Sequence, residues 1–556
     1  TITDEFGSIS RTYANGGYLS EESRTIEGEQ YDVTYQYDSY GRLDWIETPG
    51  SLRILYKYDT QDRVNRIRVQ RRIIDPQTGQ YPPVEDVVQP VLYAPFGPIT
   101  QLGYGDGATR NYVFDNSYRM IEDLDQKGAT TLREADYAWS DRDNLSSITD
   151  LVTSGRSETF TYNAEELLRK ANGPYDEITY SYGLNRDRTK YKVDDGTTAT
   201  EDIYTYPSAN NRLQSITLGA GGTRSFTYDG SGNMVADATG GVTKTYSYNA
   251  ANRLSGLDTD GVAGNEYEYG YNALGQQIVR REVASGDTIH VVHDADGNRL
   301  AEYAYDPVTQ TSTLLREYIW LDGLPVGVVE SGALYYVRTD HIGRPIYATD
   351  NTGAKIWEVS YLPFGSVETS TGTPMELRFP GQWYQSESGL YQNWMRDYDP
   401  TTGRYIQADP LGLVDGPSVY GYAMQNPVRY IDMTGTEVQF SIIGGRACNR
   451  SNECIAIWSD KKDISPDGII ILQPGQCTPY WGDNADFMLY KNEWYKCRAL
   501  GTCTAHKDRV SQFGIIRPSQ NKPPRRIEEP GKWIPEPHRT EKAKRRLENE
   551  CENCQI

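Results

Sequence analysis

The chain has 556 residues, 37% of them hydrophobic, and its formal net charge is −21 at pH 7. A chain of this length exceeds one ordinary hydrophobic core, so it predicts either several domains or an array of repeats. No run of 18 or more apolar residues occurs in the sequence, which excludes a membrane-spanning helix of the usual kind.

The first residues, TITDEFGSIS, contain no initiator Met, no basic n-region and no apolar h-region, so we expect no signal peptide in this sequence. The same texture of turns and short strands continues directly from these residues. This predicts that the sequence is a piece of a longer polypeptide.

Short repeats follow, each made of an aromatic residue, Asp or Asn, a turn, and an alternating strand. Examples are YDSYGRLDWI from Tyr37, YDTQDRVNRI from Tyr58, YDGSGNMVAD from Tyr228, YNAANRLSGL from Tyr248 and YNALGQQIVR from Tyr271. Asp or Asn bonds to the backbone of its own turn and Gly supplies positive φ, so each unit predicts a β-hairpin.

One hairpin cannot bury its own apolar face, so we expect the units to pair edge to edge in a continuous, curved antiparallel sheet with almost no α-helix. A β-sandwich or a propeller is the alternative. Propeller repeats need about 40 or more residues, whereas the steps between Tyr228, Tyr248 and Tyr271 are 20 and 23 residues.

Composition changes after residue 436. Of the 44 Tyr, 41 lie before this point, whereas all seven Cys follow it. Residues 437–556 carry a net charge of +3, which leaves −24 for residues 1–436. Two physically different parts therefore share the chain, and the acidic first part is poorly suited to binding nucleic acid.

The repeats resemble the tyrosine–aspartate repeats of the Rhs proteins, the Tc-toxin C components and the teneurins over most of residues 30–436. The most specific stretches begin YYVRTDHIGRP at 335 and LRFPGQWYQSESGLYQNW at 377, and they resemble the Rhs-associated core. The resemblance implies an all-β fold in which hairpins spiral into a hollow shell. It divides the chain into a shell wall at 1–334, a core region with a self-cleavage motif at 335–436, and a variable C-terminal domain at 437–556.

Two acidic turns, DPLG from Asp409 and DMTG from Asp432, lie in the core region. In the family such turns form an aspartyl-protease-like site, so the resemblance implies catalytic roles for both aspartates and a scissile bond between Thr436 and Glu437. Two carboxylates brought close cannot both ionise cheaply, so one holds a proton while the other activates water. By its position, Arg404 is a nearby cation that could orient them.

The second turn departs from the family pattern Asp-Pro-x-Gly-Leu, because Met433 replaces Pro and Thr436 replaces Leu. Pro would fix φ of the turn, and Leu would fill an apolar pocket, so both changes weaken the expectation of efficient cleavage. The alternative interpretation of Asp432 is a turn residue that caps its own backbone.

No metal, cofactor or nucleotide site is predicted elsewhere. We expect His341 to be a hydrogen-bonded core residue, and His290 and His293 alternate on one strand with no Cys or carboxylate at ligand spacing. The glycine-rich turns lack the strand–loop–helix context of a phosphate-binding loop.

The C-terminal domain combines β-like runs, a Pro-rich tether at 517–537 and a short terminal helix capped by Thr540. Its seven Cys predict disulfides formed after delivery, a zinc site that includes Cys551 and Cys554, or free thiols, and we favour disulfides. A nuclease-like set is one interpretation of the polar residues, and a solvated surface is the preferred one; the residues are His506, Asp508, Arg525, Arg526 and His538.

The preferred function is a toxin-encapsulating shell that cleaves itself and encloses its C-terminal effector, which is secreted or delivered to competitor or host cells. Its expected partners are its own enclosed cargo, a delivery machinery and a cognate immunity protein, with nucleic acid only as a possible substrate of the cargo. The alternatives are a teneurin-like surface adhesion or recognition protein and a shell whose cargo is inactive. The reaction of the cargo cannot be read from its residues.

Overall fold

The structure is a computed structural model that describes residues 1–440, except 15, 95–97, 208–209 and 263. Beyond residue 440 it describes only the backbone of six short strands. Several sequence predictions therefore lie outside the described residues: the tether at 517–537, the helix capped by Thr540, the pairing of the seven Cys, and the polar set of His506, Asp508, Arg525, Arg526 and His538.

The main sheet contains 33 strands. They are β1 (Ile2–Thr3), β2 (Gly7–Tyr13), β3 (Leu19–Ile26), β4 (Glu29–Tyr37), β5 (Leu43–Glu47), β6 (Leu52–Tyr58), β7 (Val64–Arg71), β8 (Glu85–Tyr93), β9 (Ile99–Tyr104), β10 (Thr109–Phe114), β11 (Met120–Lys127), β12 (Thr130–Trp139), β13 (Leu145–Asp150), β14 (Glu158–Tyr162), β15 (Leu168–Gly173), β16 (Asp176–Tyr182) and β17 (Arg188–Asp194). The sheet continues with β18 (Ala199–Thr205), β19 (Ser215–Thr217), β20 (Thr223–Tyr228), β21 (Met234–Thr239), β22 (Val242–Tyr248), β23 (Leu254–Asp258), β24 (Tyr267–Tyr271), β25 (Gln277–Glu282), β26 (Thr288–His293), β27 (Arg299–Asp306), β28 (Thr311–Leu321), β29 (Leu324–Glu330), β30 (Ala333–Thr339), β31 (Pro345–Thr349), β32 (Lys355–Tyr361) and β33 (Val367–Gly372).

Each of these strands pairs antiparallel with the next strand in the chain, so the sheet is one continuous meander. Among the described residues the only helical elements are two three-residue 3₁₀ turns, Ser154–Arg156 and Ala423–Gln425. The predicted all-β fold with a long antiparallel sheet is confirmed.

The repeat turns have the predicted chemistry. In the first of them the Asp38 carboxylate accepts hydrogen bonds from the backbone N–H of Tyr40 at 2.8 Å and of Arg42 at 3.0 Å, and from the Arg42 side chain at 2.7 Å. Gly41 adopts φ of 76°, which a side chain would disfavour. Asp59 and Asp115 make the same three kinds of contact.

The five tyrosines that define the repeat occupy equivalent positions. Each is the last residue of its strand, follows a β-bulge and pairs with the first residue after the turn; they are Tyr37, Tyr58, Tyr228, Tyr248 and Tyr271. The hydroxyl of Tyr248 donates to the Met234 carbonyl at 2.6 Å, and that of Tyr58 to the Leu43 carbonyl at 2.7 Å. These two hydroxyls tie their strands to the preceding repeat.

The sheet winds back over itself as a spiral, because residues more than 200 positions apart form ion pairs in a steadily advancing order. The pairs are Glu27–Arg281, Arg71–Glu317, Asp106–Arg338 and Arg156–Glu358. Arg338 also contacts Asp125 at 3.1 Å, and all three side chains of this group are fully buried. Charged groups therefore join successive turns of the spiral, while buried apolar residues from most of the strands form the core.

A second, smaller sheet follows the spiral and consists of β34 (Trp383–Tyr384), β35 (Tyr391–Asn393), β36 (Arg396–Asp399) and β37 (Arg404–Tyr405). Beyond it, β38 (Tyr430–Ile431) pairs with β39 (Gln439–Phe440). We refer to residues 377–436 as the plug.

The plug packs against one edge of the spiral. In a meander the turns after every second strand lie at the same edge, and the plug contacts five such turns through Asn144, Asp187, Gly232, Arg253 and Leu274. The plug therefore covers the edge of the sheet at which the repeat turns lie.

The remaining strands are β40 (Cys448–Asn449), β41 (Ile455–Trp458), β42 (Ile469–Leu472), β43 (Phe487–Tyr490), β44 (Glu493–Lys496) and β45 (Ile515–Ile516). Four of them form a sheet in the order β42-β41-β43-β44, and β40 pairs parallel with β45. These four strands fall within the β-like runs that the sequence indicates.

Candidate functional site: two acidic turns and a shared arginine

Each acidic turn of the plug is held by its own carboxylate. Asp409 Oδ1 accepts a hydrogen bond from the backbone N–H of Leu411 at 2.7 Å. Asp432 Oδ1 accepts from the N–H groups of Thr434 at 3.3 Å and Thr436 at 3.0 Å. Both aspartates therefore cap their own backbone through Oδ1, and this role leaves Oδ2 of each available for another partner.

A single guanidinium nitrogen joins the two Oδ2 atoms. Nη2 of Arg396, on β36, lies 2.9 Å from Asp409 Oδ2 and 3.2 Å from Asp432 Oδ2. The same side chain donates from Nε to the Gly435 carbonyl at 2.6 Å. The three charged side chains are almost completely buried, so the two turns, 23 residues apart in sequence, form one polar cluster.

Tyr405 completes the surroundings of Asp432. Its hydroxyl donates to Asp432 Oδ2 at 2.7 Å, and the Arg396 guanidinium lies 3.7 Å from the centre of its ring. Asn393 donates from Nδ2 to the Asp432 main-chain carbonyl at 2.8 Å. Asp432 thus accepts four hydrogen bonds or ionic contacts at its carboxylate and is fixed in one orientation.

The surroundings of Asp409 affect its protonation. Burial raises the pKa of Asp409 above its ordinary value, the Arg396 cation opposes this shift, and the negative charge of Asp432 adds to it. This upward shift of the Asp409 pKa favours its protonated form.

A third carboxylate lies beside the pair. Asp415 Oδ2 accepts a hydrogen bond from the backbone N–H of Val438 at 3.0 Å. Burial raises the pKa of Asp415 to about 7, and the charges of Asp432 and Asp409 act in the same direction. Val438 lies two residues beyond Thr436, so this contact falls on the chain just after the expected scissile bond.

The structure places the other candidate residues as follows. The Thr436 hydroxyl is 2.7 Å from that of Thr434, and Glu437 is exposed. Arg404 pairs with Asp187 of the wall at 2.5 Å and donates to the Asn211 carbonyl at 2.5 Å. The cation that contacts both carboxylates is Arg396, eight residues earlier.

Arg396, Tyr405 and Asp415 were not singled out from the sequence. Arg404 is nearer than Arg396 to both acidic turns along the chain, but the hairpin of β36 and β37 places Arg396 against them. Asp415 lies in a DGP stretch, which by pattern alone indicates only a turn.

The histidines have structural surroundings. His341 is buried, its Nε2 lies 2.8 Å from the Val428 carbonyl, and burial lowers its pKa. His290 contacts the Tyr31 hydroxyl at 2.9 Å and stacks on Tyr305. Within the part of the chain that the structure describes, no group of three or more His, Cys, Asp or Glu side chains is arranged to hold a metal ion.

The fold is that of a β-shell built from repeats. Its hairpins form a meander that winds into a spiral, and the plug packs on the edge where the repeat turns lie. The family model described as Teneurin YD-shell matches residues 109–416, more than half of the chain. The chain therefore belongs to the teneurin YD-shell family, as the resemblance of its repeats implied.

Curated relatives include several toxins. Double-stranded DNA deaminase toxin A of Burkholderia cenocepacia is 29% identical over 245 residues, which cover 39% of this chain and 17% of that protein. Toxin protein Tse5 of Pseudomonas aeruginosa is 30% identical over 273 residues, covering 43% and 20%. The tRNA3(Ser)-specific nuclease WapA of Bacillus spizizenii is 26% identical over 294 residues, covering 51% and 12%. The chain spans a fifth or less of the length of these relatives.

Solved structures match the same fold. The crystal structure of TcdB2-TccC3 superposes with a TM-score of 0.64 at 17% identity, over 76% of this chain and 24% of that one. A Tc holotoxin pore of Photorhabdus luminescens matches with the same TM-score over 78% and 23%. Among the described residues no helix is both long and apolar enough to cross a membrane.

Proposed function

We propose that the chain is part of a toxin-delivery shell that cuts itself between Thr436 and Glu437 and encloses the C-terminal segment it releases. The toxin names of the relatives and the YD-shell fold support the delivery role. The observation that carries the cleavage role is the pair of carboxylates on one Arg396 nitrogen, of which Asp432 also binds the N–H of Thr436.

The proposed reaction is the hydrolysis of one peptide bond by one water molecule. Asp432, whose Oδ2 accepts from Arg396 and Tyr405, takes a proton from the water as the water oxygen attacks the Thr436 carbonyl carbon. Asp409 gives its proton to the carbonyl oxygen. The carbon–nitrogen bond then breaks, a proton passes to the Glu437 nitrogen, and both products leave with normal termini.

The division of labour within the chain follows from this reaction. Residues 1–334 form most of the wall, 335–436 supply its last strands and the plug that carries the site, and 437–556 are the effector. A secretion or delivery machinery and an immunity protein are the partners that such an effector needs. Relatives named as a DNA deaminase toxin and a tRNA nuclease make nucleic acid one candidate target of residues 437–556.

The cleavage is tested on the full chain with the variants D409N and D432N. Asn keeps the Oδ1 acceptor that caps each turn but cannot carry a proton or a charge, so both variants should fold and remain uncut. The matched control is D229N, because Asp229 caps a repeat turn through the N–H of Asn233 in the same way. Denaturing gels and terminal sequencing of the fragments should place the cut after Thr436 in the wild type and in D229N, and a wild-type chain that stays whole contradicts the proposal.

The effector role has its own test. Residues 437–556 are expressed in a bacterium, alone and within the full chain. Growth arrest by the segment alone, with less arrest by the full chain, supports an enclosed toxin. Normal growth in both cases favours the two alternatives, a teneurin-like adhesion or recognition protein or a shell whose cargo is inactive.

A further inference from the structure

The loop between the two acidic turns sends one side chain inward. The first part of this loop, residues 410–418, is closed by a hydrogen bond from the Asp409 N–H to the Val419 carbonyl at 2.9 Å. Leu413 and Val414 are 62% and 56% exposed, so the tip of the loop does not pack into a core. Asp415, the next residue, is instead partly buried and accepts the N–H of Val438.

The chain around the expected scissile bond is consequently held at three successive points. Asp432 binds the N–H of Thr436 before the bond, and Asp415 binds the N–H of Val438 after it. From Gln439 onward the chain pairs with β38. The amides on both sides of the Thr436–Glu437 peptide unit are therefore bound by carboxylates, one from the second acidic turn and one from the loop that follows the first.

We propose that Asp415 is the binding residue for the leaving side of the scissile bond, where it holds the chain after Glu437 so that the Thr436 carbonyl stays against Asp409 and Asp432. This inference rests on the proposed cleavage. Holding a reacting group in its reactive geometry lowers the barrier without any bond to the residue that holds it. Asp415 exchanges no proton in the reaction, so its side chain needs only a hydrogen-bond acceptor.

The charge of Asp415 adds a measurable signature. A carboxylate accepts an N–H more strongly than a neutral carboxyl or amide does. Asp415 loses its proton as the pH rises through about 7, in a field set by Asp409, Asp432 and Arg396. The hold on Val438 should therefore strengthen between pH 6 and pH 8 in the wild type, and an Asn at this position cannot reproduce that gain.

The test follows cleavage of the full chain with time. Labelled chains are made by cell-free translation, synthesis is stopped, and samples are moved to buffers at pH 6 and pH 8. We expect D415A, which removes the acceptor, to slow cleavage about 10-fold or more. D415N, which keeps a neutral acceptor, should equal the wild type at pH 6 and be about 5-fold slower at pH 8. L413A changes an exposed side chain of the same loop and should cleave at the wild-type rate.

The outcomes separate this inference from the proposed cleavage. A wild-type chain that stays uncut contradicts both the proposed cleavage and the role of Asp415. If the wild type is cut, D432N is not, and D415A is cut as fast as the wild type, then only the role of Asp415 is wrong. If thermal melting shows that D415A does not fold, the test rests on D415N. The inference is then wrong if the cleavage rate of D415N divided by that of the wild type is the same at pH 6 and pH 8.

Discussion

Replacing Arg396 with Met is the most informative perturbation of the site. Met keeps an unbranched stem that can lie along the Tyr405 ring, but it removes the cation shared by Asp409 and Asp432 and the donor to the Gly435 carbonyl. Two buried carboxylates would then face each other without a positive charge. We expect both stability and cleavage to suffer.

The magnitude follows from the burial of the group. Removing one member of a buried ion pair typically costs about 3–5 kcal/mol, because the remaining charge is left uncompensated. For a cooperative unit of about 430 residues the entropy of unfolding is near 0.9 kcal/mol/K, so the melting temperature should fall by about 3–5 °C. The loss should be larger at pH 8 than at pH 4, because without the cation a buried carboxylate is relieved by taking up a proton, and protons are far more available at pH 4.

Arg404 provides a matched comparison. Replacing Arg404 with Met breaks an equally buried pair, Arg404–Asp187, that ties the plug to the wall. Both variants should melt earlier by differential scanning fluorimetry, but only R396M should lose cleavage of the Thr436–Glu437 bond. Normal cleavage by R396M together with failure of R404M would show that Arg404 is the orienting cation. An equal loss of stability by R396M at pH 4 and pH 8 would refute the charge argument.

Two further predictions concern the wall and the plug. Burial raises the pKa of Asp397 to about 6, so between its unfolded pKa and pH 6 the folded chain keeps a proton that the unfolded chain has released, and this contribution to stability is lost as the pH rises through 6. The free energy of unfolding of D397N should therefore exceed that of the wild type by at most about 3 kcal/mol at pH 8, and should not exceed it at pH 4. Urea unfolding at the two pH values measures this difference. Tyr248→Phe removes the hydrogen bond to the Met234 carbonyl and should lower the free energy of unfolding in urea by about 1 kcal/mol. Tyr40→Phe, at a 71% exposed position, should leave it unchanged. Equal losses would show that the Tyr248 hydroxyl bond does not stabilise the repeat.

The repeat wall could be predicted from sequence because its determinants are local. Asp38, Gly41 and Arg42 form one turn within five residues, and Tyr37 pairs with the first residue beyond it. Repetition of the unit then dictates that each strand pairs with the next. The pattern contains everything needed for the meander, including the positions of its bulged tyrosines.

The winding of the sheet and the choice of arginine could not be predicted in the same way. Arg338 finds Asp106 and Asp125 more than 200 residues away, and no periodicity in the sequence indicates that distance. Arg396 and Arg404 occupy neighbouring strands of one hairpin, and their separate partners, Asp432 and Asp187, are set by how the plug meets the wall. Both features depend on the curvature of the whole sheet rather than on any local motif.

In the described part of the chain, few contacts join the plug to the residues that follow the expected cut. Among the described residues, the chain after Thr436 is bound to the plug through the Val438 N–H and the two-residue pairing of β39 with β38. Each such hydrogen bond contributes about 0.5–1.5 kcal/mol net, so together they supply a few kcal/mol. A binding free energy of about 4 kcal/mol corresponds to a dissociation constant of about 1 mM, which cannot retain a released polypeptide in dilute solution. On the proposed mechanism, cleavage would therefore remove no strand of the 33-stranded wall, and the wall itself, rather than the plug, would have to confine the segment after the bond is cut.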